Sequence, residues 1–287
     1  MLTSFITYLE DYLDRAGLQG LARGALGILA FASVLSALFG TSAFKAAGIV
    51  IWILGTLGLL AVQIGSNTGL RRDNADYRKL LSDQCNRTYE ESDHLWRIDR
   101  WEEAVTIRAN GDAKGTIAVR AMVETDDLPF FRLRVGPNWD QPEKDRRRVH
   151  VTVSSIKRNG IGGTRWPLTT HWLSDGRFEV LVHFGATVPE KGEELTLNVV
   201  YDWPGKGFPL MRQRKPDEFV MAMGRPLAYF SYEVTLPPST KVDCDPVGLG
   251  ESDRFTLDPA TEAVPVVRLV VEDIAADRRI GVKLDLK

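Results

Sequence analysis

Residues 195–203, LTLNVVYDW, settle the architecture of most of this chain. Leu195, Leu197, Val199, Tyr201 and Trp203 occupy every second position, and Thr196, Asn198 and Asp202 stand between them. A strand sends successive side chains to opposite faces, so this spacing gives one apolar and one mostly polar face. On a helix the same five residues would be spread around the circumference. The pattern recurs on both sides. Ile117, Val119, Ala121 and Val123 alternate upstream, as do Phe131, Leu133 and Val135, then Val149, Val151 and Val153, then Phe178, Val180, Val182 and Phe184. Downstream lie Tyr229 to Leu236, Val264 to Val271 and Ile280 to Leu286.

Turn-forming pairs punctuate these runs, among them Asn110-Gly111, Asn159-Gly160, Asp175-Gly176 and Lys191-Gly192. About ten strands without a convincing helix predict an all-β domain over residues 96–287, an antiparallel β-sandwich with a β-barrel as the alternative. Several long, irregular turns favour the sandwich. The strands share no fixed repeat, which argues against propellers and solenoids.

The chain before this domain has a different character. Gly24 to Phe44 and Ala46 to Leu70 carry no charged residue and are bounded by Arg23, Lys45 and Arg71-Arg72. Each is long enough to cross a hydrocarbon core of about 30 Å as a helix. The connector admits only a tight turn, so residues 21–70 read as a transmembrane helical hairpin with spans at about 24–44 and 46–66. The preceding segment carries Glu10, Asp11 and Asp14, unlike the short positive start of a cleaved signal. Arg15, Arg23, Arg71, Arg72, Arg78 and Lys79 flank the base of the hairpin, whereas Lys45 alone marks its tip. The positive-inside rule then puts both termini in the cytoplasm and the protein in the inner (plasma) membrane. Ala32, Ser36 and Gly40 on the first span, with Gly48 and Gly55 on the second, form small-residue faces for helix packing or for a homo-oligomer. Residues 1–20 read as an amphipathic helix through Leu2, Phe5, Ile6, Leu9 and Leu13. Residues 71–95 read as a helical stalk, with Leu70, Tyr77, Leu80, Leu81 and Cys85 as its apolar stripe.

Composition narrows the partners. A formal net charge of −2 lacks the basic footprint of a nucleic-acid binder. Cys85 and Cys244 offer no zinc spacing, and His94, His150, His171 and His183 no HExxH. Hairpin closure at Asp175-Gly176 could bring His171 and His183 together, a weak basis for a zinc pair. No GxSxG elbow is present, and the aspartates around Cys244 disfavour a thiolate. Asp243, Asp245 and Asp253 lack the spacing of an EF-hand calcium loop. The expectation is therefore no catalytic residue, no cofactor and no metal.

One segment stands apart. Trp203 to Lys215 reads WPGKGFPLMRQRK and contains no acid. Lys206, Arg212, Arg214 and Lys215 surround Phe208, Leu210 and Met211, a combination suited to anionic membrane lipid or to a protein or anionic small-molecule ligand. Lys144 with Arg146, Arg147 and Arg148 forms a second basic loop. A loop folded over the end of the sandwich is the plain alternative for the first segment.

The reading reached is a membrane-anchored, cytoplasm-facing β-sandwich acting as a non-catalytic binding or interaction module. A two-span hairpin followed by a β-rich domain also resembles, in its order of parts, the membrane effectors of bacterial cyclic-oligonucleotide antiphage defence. That resemblance implies ligand-triggered oligomerisation of the hairpins and membrane damage, and it transfers no residue. A membrane-bound hydrolase built around His171 or His183 is the third reading, because triads assemble only in space.

Overall fold

The computed structural model describes residues 74–92, 95–137, 139–155, 163–185, 188–260 and 265–287. The amphipathic segment, both apolar stretches and the small-residue faces at Ala32, Ser36, Gly40, Gly48 and Gly55 lie outside the described residues. Among the described residues no helix is long and apolar enough to cross a membrane. The chain divides into two compact units, Met1–Tyr77 and Arg78–Lys287.

Among the described residues the second unit has thirteen strands. A helix over residues 74–91 (α1) leads into β1 (Trp96–Ile107), β2 (Ala113–Val123) and β3 (Phe130–Val135). A single turn of helix, α2 (Glu143–Arg146), precedes β4 (His150–Ser155), β5 (Leu168–Trp172), β6 (Phe178–His183) and β7 (Glu194–Trp203). The short helix α3 (Phe208–Gln213) is followed by β8 (Asp217–Met223), β9 (Leu227–Thr235), β10 (Val242–Val247), β11 (Arg254–Asp258), β12 (Val266–Ile274) and β13 (Arg278–Leu286).

Seven strands form one sheet in the order β11-β12-β9-β1-β2-β7-β4, and two three-stranded sheets run β10-β13-β8 and β3-β6-β5. No barrel closes, since β11 and β4 remain as edges. The expectation of a purely antiparallel fold needs one correction: β1 pairs parallel with β9 and antiparallel with β2. A bulge between Ile98 and Arg100 also resets the alternation of β1. Trp96 and Ile98 before it, and Trp101, Glu103, Val105 and Ile107 after it, are consequently all buried.

Both small sheets cover the same face of the large one. Phe131 of β3 packs on Trp96 of β1 (ring centroids 4.8 Å apart), and Phe178 of β6 on Trp203 of β7 (5.8 Å). Phe219 of β8 packs on Tyr232 of β9 (6.1 Å), and Tyr232 stands opposite Glu103 in the β1–β9 register. The alternating residues of LTLNVVYDW meet this interior: Leu195, Leu197, Val199, Tyr201 and Trp203 are all buried. Removing side chains of this size from water contributes about 1.5–3 kcal/mol each.

Helix α1 packs through a narrow face. Tyr77, Leu80 and Leu81 are exposed, and the buried face is Ser82 and Cys85, with Asn86 and Tyr89 half-buried beside them. The cause is a buried carboxylate on the sheet beneath. Glu179 of β6 is fully buried and accepts a hydrogen bond from the Ser82 hydroxyl. Arg134 of β3 donates to the same carboxylate (Nε–Oε1 2.9 Å). Asn86 Oδ1 accepts from Arg132 Nη1 (2.7 Å) and Arg134 Nη2 (2.8 Å), while the Arg132 guanidinium lies 3.6 Å from the Tyr89 ring centre. The helix docks through this polar set because a buried charge must be paired.

Candidate ligand cleft

Between the two small sheets the second layer is interrupted. A cavity of about 430 Å³ opens there, walled by β3 with its continuation to Pro137 on one side and β8 on the other. Its floor is β1, through Trp96, Ile98, Trp101 and Glu103. Both walls are edge strands. The hydrogen bond from Phe184 N–H to the Pro129 carbonyl (3.4 Å) sets the phase of the β3–β6 ladder. Residues 131, 133 and 135 therefore pair with β6, and 130, 132 and 134 turn their backbone groups toward the open edge.

The floor carries a buried polar cluster. Glu103 accepts hydrogen bonds from the Tyr201 hydroxyl (2.7 Å) and the Tyr232 hydroxyl (3.2 Å), and Lys206 Nζ lies 3.5 Å from the same carboxylate oxygen. Burial, reinforced by the Glu103 charge, raises both phenols well above their usual range, so they act here as donors. Gly115 makes room for this arrangement, since a Cβ there would stand 2.4 Å from the Tyr201 hydroxyl. Asp217, at the start of β8, is pushed up to about 6 by burial, against the opposing effect of a backbone hydrogen bond from Glu218 and the Lys206 charge. The indole N–H of Trp101 is buried and has no partner among the described residues.

The rim is cationic. Arg132, Arg134, Arg177 and Arg279 all line the cavity. Three of them are held by carboxylates: Arg134 by Glu179, Arg177 by Asp175 (2.6 Å) and Arg279 by Glu218 (2.8 Å). Arg132 makes no ion pair among the described residues, and burial together with the neighbouring Arg134 charge lowers its proton affinity.

The basic loops are placed differently from one another. Lys206 is buried under the cleft rather than presented to a surface, because Glu103 would otherwise be a lone buried charge. Leu210 is fully buried on α3 and Met211 half-buried. Phe208, Arg212, Arg214 and Lys215 are exposed, with Phe208 stacked on Trp139 (6.1 Å). In the second loop Lys144 is exposed, and the arginines meet local acids: Arg146 with Asp140, Arg147 with Glu143 (2.5 Å) and Arg148 with Asp145 (3.8 Å). Neither loop lines the cavity except through Lys206.

His171 and His183 do not form a pair. His171 stands opposite Glu179, whereas His183 Nε2 lies 2.9 Å from the Thr169 hydroxyl, and burial lowers its proton affinity. Cys85 and Cys244 are free thiols, both raised by burial, with Glu179 adding to the first and the flanking aspartates to the second. Asp253 is held at about 2 by hydrogen bonds from Arg278 and Gly250. Among the described residues no group of three His, Cys, Asp or Glu side chains could hold a metal ion.

No protein-family model and no curated protein matches this sequence. Among solved structures, similarity extends to a putative protease from Parabacteroides distasonis, at 10% identity and a TM-score of 0.42, over 66% of this chain and 40% of that one. An M1 zinc metallopeptidase from Deinococcus radiodurans is similar at 14% identity and a TM-score of 0.36, over 67% and 43% of the two chains. A two-domain M1 zinc metallopeptidase mutant bound to L-arginine follows at 12% identity and 0.39, over 66% and 42%. The chain spans about two-fifths of the length of these structures.

Proposed function

We propose that this chain is a membrane-anchored, cytoplasm-facing binding module that takes its ligand, without catalysis, in the cleft between the two small sheets. The carrying observation is the cleft itself: an open cavity of about 430 Å³ floored by Trp101 and Ile98, with four arginines at its rim. Sites of a few hundred Å³ with apolar walls and a few convergent polar groups are where small ligands and peptide segments bind. Among the groups that line it, Lys206 is tied to Glu103, whose carboxylate also accepts from Tyr201 and Tyr232. The uncharged stretches at 24–44 and 46–70 supply the anchor in this reading.

The test uses the full chain in neutral lipid nanodiscs, screened by thermal shift against small anions, neutral aromatics and short peptides. A ligand that raises the melting temperature and is recovered unchanged supports the reading. Consumption of that ligand would make the protein an enzyme, and stabilisation that survives intact in Trp101→Ala would move the site elsewhere. Carbonate extraction that released the chain would remove the anchor.

A further inference from the structure

We infer that the cleft receives an extended acidic peptide as an added strand between β3 and β8, an inference that rests on the cleft being the ligand site. Seven strands form one layer and six the other, and the six are split three and three by the cavity over β1. The β3 wall therefore turns the backbone groups of Phe130, Arg132 and Arg134 toward the gap, and β8 is the strand at the facing edge. An open edge of this kind is a template for strand addition, with main-chain hydrogen bonds supplying affinity and alternate side chains supplying selectivity.

The alternation also dictates the chemistry of the guest. Its inward side chains would face Trp101, Ile98 and the Leu133 and Phe219 flanks, over a Glu103 carboxylate already held by Tyr201, Tyr232 and Lys206, so they should be apolar. Its outward side chains would stand beside Arg132 and Arg134, which share the outer face of the small sheet with Glu179. Arg279, paired to the outer face of β8, completes the rim. Carboxylates at every second position match that rim, with Arg132 the cation lacking an ion pair among the described residues.

The test measures fluorescence anisotropy of a labelled, acetylated octapeptide alternating glutamate and valine against the full chain in neutral nanodiscs. Saturable binding is expected. It should weaken by about tenfold or more in R132E, and by less in R132Q. A lysine–valine peptide should fail to bind, as should the glutamate–valine peptide methylated on alternate backbone nitrogens. Methylation leaves every charge in place and needs no protein variant, so a folding defect cannot imitate its effect. Equal affinity of the methylated and parent peptides, or equal competition by free glutarate, would overturn strand addition and leave the cleft as a small-anion site. If no peptide or anion binds while a neutral aromatic compound stabilises the chain, the acidic guest falls and the cleft reading stands. Failure of every probe overturns both.

Discussion

Glu179 is the residue on which the most geometry converges. Its carboxylate is fully buried and takes hydrogen bonds from Ser82 and Arg134, joining α1 to β3 and β6. Glu179→Ala should cost roughly 3–5 kcal/mol, because Arg134 loses its carboxylate while remaining half-buried. For a domain of this size that lowers the melting temperature by about 6–20 °C, measurable by scanning calorimetry. Asp217 gives the opposite kind of prediction. Its folded carboxyl sits at about 6 against an ordinary 3.8, so the folded protein holds that proton more tightly than the unfolded chain. The stabilisation is complete below about pH 4 and fades as pH rises through 6, an effect on the order of 2–3 kcal/mol. Asp217→Asn should therefore flatten the fall in melting temperature between pH 4 and pH 7; an unchanged slope would place the titration elsewhere. Lys206 shows why such residues escape a sequence reading. It stands among four basic residues with no acid within the segment, and its partner Glu103 is 103 positions away.

At the level of elements, strands with strict alternation were legible and those with broken alternation were not. Phe131, Leu133 and Val135 announce β3, and Gly111 and Gly176, with φ of 89° and 82°, close the turns that Asn110-Gly111 and Asp175-Gly176 imply. The bulge at Asp99 hides the first half of β1, and DEFVMAM at 217–223 puts two acids before five successive apolar residues, so one wall of the cleft carried no alternation. Of the apolar stripe on α1 only Cys85 is buried among the described residues, beside Ser82, which donates to Glu179. Asn86→Ala should loosen that docking by about 1–3 kcal/mol, since one amide oxygen serves two guanidinium groups. Hydrogen exchange across 78–91 should then quicken by at least about fivefold while β2 and β7 stay protected.

Across the whole molecule, α1 and the strands that follow it share the buried Glu179 cluster. An all-β unit over 96–287 captures the strands but omits the helix that pairs Glu179. A fragment of residues 74–287 should therefore melt cooperatively with a β-type circular dichroism spectrum. A fragment of residues 95–287 should melt several degrees lower, having exchanged a satisfied buried carboxylate for one that lacks Ser82 and Asn86. Equal melting of the two would mean that α1 contributes nothing to the fold.

The parallel partnership of β1 with β9 has a consequence for the order of synthesis. Strands β1, β2, β7 and β4 are complete once Trp203 has been made, but the other side of β1 waits for Leu227–Thr235. Until then a half-built sheet displays Trp101, Val105 and Ile107 along a strand whose second edge has no partner. Such distant pairing is slow to form, on a scale of milliseconds to seconds in folding sheets, and leaves the nascent chain open to wrong partners. Ribosomes stalled near residue 215 should carry a chain that chaperones bind and proteases cut, and those stalled beyond the last strand a chain that resists both.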